Sequence, residues 1–127
     1  MAHAEFLRQE GGDDLLVEQV KDDWRQLELT EAERAMLEYV EKLTLTPTSM
    51  TEADVQRLRD AGWSDRDVLD IVHVCAYFNF RVRVVDGLGL ELADWQVTRA
   101  RAGSERAAKL AQERGVRMPS DPWRVRG

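Results

Sequence analysis

Apolar residues recur every three or four positions along most of this chain. One series holds Leu16, Val20, Trp24 and Leu27, and another holds Met36, Leu37, Val40 and Leu43. This spacing is typical of amphipathic helices, whose apolar side chains share one face. The pattern predicts an all-α bundle of about five to six helices: a short one ending near residue 10, then helices near residues 13–26, 30–44, 51–61 and 64–84.

Helix-start signals stand before three of these segments. Each signal is a Ser or Thr followed three residues later by an acid, the spacing of a capping box. The three are Thr30-x-x-Glu33, Thr51-x-x-Asp54 and Ser64-x-x-Asp67. Pro47 and Gly62 fall between the predicted helices, where turns are expected.

Residues 68–85 are apolar nearly all round, which predicts a helix at the buried centre of the bundle. A β-hairpin is an alternative, because Phe80, Val82 and Val84 alternate with two arginines and Asp86-Gly87 follows as a tight-turn signal. The local pattern leaves both structures open.

The end of the chain differs in charge from the rest. Residues 1–94 carry 10 basic and 21 acidic side chains, whereas residues 95–127 carry 8 and 3. We expect a helical domain over 1–94 and a basic C-terminal arm over 95–127, with a helix near Ser104–Arg114. The arm is expected to dock on the acidic surface of its own or a neighbouring subunit and to be anchored by Trp95. Without a nucleic-acid reading motif, its charge is a weak argument for nucleic-acid binding.

Composition limits the chemistry further. The chain has 127 residues and one cysteine, Cys75, so it forms no internal disulfide, and it has no Cys/His cluster for zinc. We expect no metal and no cofactor. No segment has the length and apolar character of a membrane span or a signal peptide, so we expect a cytoplasmic protein. Four tryptophans in so small a helical chain favour a homo-oligomer.

Several segments resemble the alkyl-hydroperoxidase-D-like family, also called the carboxymuconolactone decarboxylase family, in its peroxidase-related branch. The similarity spans roughly residues 3–92 and is most specific in Gly62-x-Ser64-Asp65 and in Tyr77-Phe78-Asn79-Phe80. The resemblance implies a helical fold in which residues 64–84 form one long helix. Where relatives commonly have Asn-Phe-Val-Asn-Arg, this chain has Asn-Phe-Arg-Val-Arg at residues 79–83. The second asparagine is lost and an arginine, Arg81, is gained, which suggests that Arg81 faces a pocket or a subunit interface.

In that family a Cys-x-x-Cys pair, a histidine and a glutamate carry out peroxide reduction. The resemblance places the histidine of the motif at His3, and Met1 would then separate it from the cysteines. His3 is therefore a proton relay only in a form that carries the cysteine pair, and only that form would use a dithiol reductant. The resemblance implies a peroxidase-related protein that is inactive as a thiol peroxidase in this form. The alternatives are a non-catalytic oligomerisation or binding module and, more weakly, a decarboxylase-like lyase.

Two other residues are candidates for chemistry. Cys75 is a redox candidate, but its neighbours Val72, Val74 and Phe78 favour a buried structural thiol. His73 is an acid–base candidate, and a lone histidine in an apolar run is more often a satisfied core residue.

Overall fold

The computed structural model describes residues 11–118, and that part of the chain is helical and contains no strand. This confirms the predicted all-α fold. The helices are α1 (Asp14–Asp23), α2 (Glu31–Leu45), α3 (Glu52–Asp60), α4 (Asp65–Gly87) and α5 (Asp94–Arg114). Short 3₁₀ turns at Trp24–Gln26 and Pro47–Ser49 follow α1 and α2. The helix predicted before residue 10 lies outside the described residues.

The three predicted helix-start signals all lie at helix starts, and the acid accepts from the N-cap backbone N–H in each. At the start of α2, the backbone N–H of Glu33 donates to Thr30 Oγ1 at 3.2 Å, and the backbone N–H of Thr30 donates to the Glu33 carboxylate at 2.9 Å. Ser64 with Asp67 begins α4 in the same way. At the start of α3, the backbone N–H of Thr51 donates to the Asp54 carboxylate at 2.8 Å, while the backbone N–H of Asp54 donates to the Thr51 carbonyl at 3.1 Å. Each arrangement satisfies donors that the first helical turn leaves without an intrahelical acceptor.

The helix predicted for residues 64–84 is confirmed, and the alternative hairpin is wrong. α4 continues to Gly87, and the chain turns only after Leu88. Gly89 has φ +63°, the left-handed conformation that favours glycine, and the backbone N–H of Leu90 donates to the carbonyl of Val85 at 3.0 Å. The turn signal in this region therefore ends a helix instead of joining two strands.

The helices form two compact units. In the first, residues 28–91, α2 contacts both α3 and α4. Leu58, Val68 and Cys75 are buried there. The indole N–H of Trp63 donates to the carbonyl of Ala32 at 2.8 Å, which fastens the turn between α3 and α4 to the start of α2.

In the second unit, residues 11–27 and 92–118, α1 packs against α5. Its core contains Leu15 and Val17 from α1 and three small residues from α5, namely Gly103, Ala107 and Ala111. The predicted helix at 104–114 is present but begins ten residues earlier, at Asp94.

Charge also holds α5 on α1, as expected for a basic segment near an acidic one. Arg106 donates to the Asp14 carboxylate at 2.7 and 3.2 Å, and Arg114 lies 2.7 Å from the Asp13 carboxylate. The Trp95 side chain is 64% exposed in the single chain, so Trp95 does not anchor α5 on its own α1. The small buried side chains of α5 permit its close approach to α1.

The expectation that α4 lies at the buried centre of a bundle is also wrong for the single chain. Val68 and Cys75 are its buried residues, and they face α2 and α3. Large apolar side chains around the rest of the helix are exposed, including those of Val74, Tyr77, Phe80 and Val84. α4 is therefore apolar on two faces, and the described chain covers one of them.

Candidate functional site

A polar cluster surrounds Cys75 between α2 and α4. The Cys75 Sγ lies 3.5 Å from Thr44 Oγ1 and 3.8 Å from the carbonyl oxygen of Val40, both on α2. The side-chain amide of Asn79, one turn further along α4, is 3.3 Å from the same sulfur. Cys75 is 6% exposed, so the thiol is enclosed by these polar groups and by the helices that carry them.

Arg83, one turn further along α4, fixes the orientation of the Asn79 side chain. Arg83 donates to the Asn79 side-chain oxygen and backbone carbonyl, each at 3.1 Å. With its oxygen occupied, Asn79 turns its Nδ2 toward Thr44 Oγ1 and the Cys75 carbonyl, each at 3.0 Å. Arg83 thus acts on Asn79, and Asn79 in turn contacts the thiol.

An ion pair and a tyrosine lie in the same unit. Lys42 Nζ is 2.8 Å from both Asp54 carboxylate oxygens. The Lys42 hydrogen bond and the backbone N–H of Thr51 hold the pKa of Asp54 below its ordinary value. Burial raises the pKa of Tyr39, with smaller contributions from the negative charges of Asp54 and of Cys75 when ionised. Lys42 is therefore paired with Asp54, and the raised pKa of Tyr39 favours its neutral form.

This arrangement limits what the thiol can do. A peroxide-reducing cysteine reacts as a thiolate, is accessible to the peroxide, and requires a second thiol to resolve its sulfenic acid. The groups that contact Cys75 here are a hydroxyl, an amide and a carbonyl. The sequence contains no second cysteine. The cluster has the features of a structural thiol that is hydrogen-bonded between two helices.

The histidine candidate within the described residues, His73, does not join this cluster. His73 is exposed on α4, two residues before Cys75 and therefore directed away from it, so the expectation of a core histidine is wrong. His3 lies outside the described residues. Within residues 11–118, no three Asp, Glu, His or Cys side chains converge as they would around a metal ion.

One cavity, of about 210 Å³, lies in the unit formed by α1 and α5. Its lining residues are Gln19, Asp22, Asp23, Gln26, Leu27, Arg117 and Met118. The pKa of Asp23 is lowered, chiefly because its carboxylate accepts from the backbone N–H of Arg25. Neither Cys75 nor His73 is among the lining residues.

Sequence reasoning singled out Cys75 but missed Thr44 and Arg83 as neighbours of its site. Asn79 stands four residues after Cys75, so helical spacing alone was a sufficient signal for that contact. Thr44 is 31 residues away in the chain, and nothing in the local pattern indicates that it faces the thiol.

The fold places this chain among all-α proteins, and within that class it has a solved structural relative. It is similar to an uncharacterized peroxidase-related protein from Silicibacter sp. TM1040, with a TM-score of 0.68 and 33% sequence identity. The similarity covers 73% of this chain and 49% of that protein, so this chain spans about half of its length. No family model and no curated protein sequence matches the chain. No described helix is long and apolar enough to cross a membrane.

Proposed function

We propose that this chain is a peroxidase-related protein of the alkyl-hydroperoxidase-D-like family that does not reduce hydroperoxides in this form. The family assignment is supported by the segments that carry the resemblance and by the similarity to the Silicibacter protein. The proposed loss of activity rests on one observation about the cysteine. The sole thiol of the chain is 6% exposed and lies among neutral polar partners.

Peroxide reduction by a thiol is a two-electron reaction with a defined balance. The thiolate attacks one peroxide oxygen, the O–O bond breaks, an alcohol leaves, and the cysteine becomes a sulfenic acid. A second thiol then condenses with the sulfenic acid and releases water, forming the disulfide that a dithiol donor reduces. Cys75 lacks a resolving partner in the chain, so a reacted Cys75 would stop at the sulfenic acid or form an intermolecular disulfide.

The test is the consumption of cumene hydroperoxide in the presence of a dithiol donor. We expect the wild-type chain and Cys75→Ser to give the same rate as buffer with donor alone. Far-UV circular dichroism of the Cys75→Ser variant checks that it remains helical. Turnover by the wild type that disappears in Cys75→Ser would contradict the proposal.

A second candidate function is a non-catalytic oligomerisation module, and the exposed apolar face of α4 favours it. The lyase hypothesis has less support, since it requires a histidine in a pocket with convergent polar groups. Among the described residues, His73 is instead an exposed side chain that does not line the cavity.

A further inference from the structure

The outer face of α4 carries a regular series of side chains. Successive members are four and three residues apart in strict alternation, which is the spacing of a coiled-coil seam. We call this series the outer seam, and it consists of Asp70, Val74, Tyr77, Arg81, Val84 and Leu88. The opposite face of the helix holds Val68 and Cys75, which pack toward α2 and α3.

The apolar members of the outer seam are open to solvent. Val74 is 56% exposed, Tyr77 55% and Leu88 69%, and Phe80 beside the seam is 64% exposed. Together these large exposed side chains form an apolar surface on the outer side of α4, and contiguous exposed apolar surfaces are characteristic of interaction sites. A patch of that kind marks an interaction surface.

We propose that the outer seam is the interface of a homodimer in which α4 pairs antiparallel with α4 of a second copy. In this arrangement Val74 packs opposite the partner's Tyr77, and Asp70 lies opposite the partner's Arg81. The two-fold axis passes between Cys75 and Ala76. The proposal is independent of any peroxidase activity.

Charge selects this arrangement over a parallel one. In a parallel pair each seam residue meets its own copy, so Arg81 would face the partner's Arg81 and Asp70 the partner's Asp70, and like charges at a contact are strongly unfavourable. Asp70 and Val74 are four residues apart, and so are Tyr77 and Arg81. In the antiparallel pair, Asp70 therefore lies opposite the partner's Arg81 whenever Val74 lies opposite the partner's Tyr77. One register therefore forms two opposite-charge contacts and two Val–Tyr contacts together.

The length of the helix selects the same register. The proposed axis lies at the middle of α4, which runs from Asp65 to Gly87, so the two helices overlap along their whole length. Sliding one helix by a heptad would set Val74 against the partner's Val84, shorten the overlap and place Asp70 opposite the partner's Leu88. A charged residue within an apolar seam commonly fixes register in this way.

Neither charge has a strong partner within its own helix. Asp70 accepts from Arg66 at 3.4 Å in a pair whose side chains are 60% and 82% exposed, a geometry that contributes little. The Arg81 guanidinium lies 5.8 Å from the centroid of the Tyr77 ring, at the edge of a cation–π contact. Both side chains can therefore turn to a partner at small cost.

The experiment is sedimentation of the full chain over a range of micromolar concentrations. We expect the wild type to be a dimer, and we expect Asp70→Arg and Arg81→Asp each to weaken it by at least about tenfold because each creates two like-charge contacts. The double variant D70R/R81D should regain the wild-type dissociation constant to within a few-fold. Lys109→Glu, a charge reversal at an exposed position of α5, is the matched control and should leave the dimer unchanged.

Each of three results would overturn the proposal. A wild-type monomer would mean that something other than a second copy covers the outer seam. A dimer insensitive to Arg81→Asp would place the interface elsewhere. Two weakened single variants without recovery in the double variant would exclude the register that pairs Asp70 with the partner's Arg81. Circular dichroism of each variant distinguishes loss of the dimer from loss of the fold.

Discussion

The contact between α1 and α5 is expected to be intolerant of added volume at Ala107. Ala107 is fully buried, and Gly103 and Ala111, one turn to either side, are buried too. The buried residues on this face of α5 are all small, which allows the two helices to lie close together. Ala107→Leu adds about three carbon atoms to a space that close-packed interiors do not provide. α5 must then move away from α1 or the new side chain must adopt a strained rotamer.

Overpacking of this kind costs about 1–3 kcal/mol, and the 0% exposure of Ala107 places the expected cost in the upper part of that range. Displacement of α5 would also lengthen the Arg106–Asp14 contact, now 2.7 Å. The matched control is Ala108→Leu, the same substitution at the next position, where the side chain is exposed. The two variants share the small change in helix propensity, so their difference isolates packing.

The assay is chemical denaturation of both variants, combined with hydrogen exchange resolved to α1 and α5. Ala107→Leu should lower the free energy of unfolding and speed exchange in these two helices, while Ala108→Leu should stay within about 0.5 kcal/mol of wild type. Equal stability of the two variants would refute the argument that small residues set the distance between the helices.

Two further predictions concern the unit formed by residues 28–91. The pKa of Asp54 lies below its ordinary 3.8, so its bonds to Lys42 and Thr51 stabilise the fold fully at higher pH and are lost as pH falls below that value. The melting temperature should therefore drop between about pH 5 and about pH 3, with a smaller drop in Asp54→Asn, and identical pH profiles would contradict this. Cys75 should react with an aromatic disulfide reagent at least about a hundredfold more slowly in the folded protein than in denaturant, because reaction requires local opening. Asn79→Ala should speed the reaction, and an equally fast reaction of folded and unfolded wild type would contradict the burial of the thiol.

Helix starts were predictable from sequence because their chemistry is local. A capping box places its two partners three residues apart, so the starts of α2, α3 and α4 were predicted to within one residue. The first ten residues of α5 were not predicted, because the local sequence gives no clear signal there. The buried face of α5 consists of glycine and alanine, which give no apolar periodicity, although they are the residues that permit the closest helix packing.

The surroundings of the cysteine were only partly predictable. Apolar neighbours in the sequence correctly indicated that Cys75 is buried. The same run also suggested a core position for His73, and there the inference was wrong. Composition shows that a helix is apolar on all sides, but it does not show which side the rest of the chain covers. That depends on contacts between residues far apart in sequence, such as Cys75 with Thr44.

Asp70 and Arg81 help to distinguish two kinds of partner for the exposed face of α4, a purely apolar surface and a second copy of the same helix. Asp70 and Arg81 are eleven residues apart on one helix, a separation of about 16 Å along its axis, so they cannot neutralise each other within α4. A purely apolar cover for this face would leave Asp70 with only its long contact to Arg66 and Arg81 with only the Tyr77 ring, and burying charges with such weak partners is costly. A second copy of α4 in the reverse direction supplies the complementary charge at both places with no additional segment. In the proposed dimer, the arginine that interrupts the apolar helix therefore has a role, which is to pair with Asp70 of the second copy.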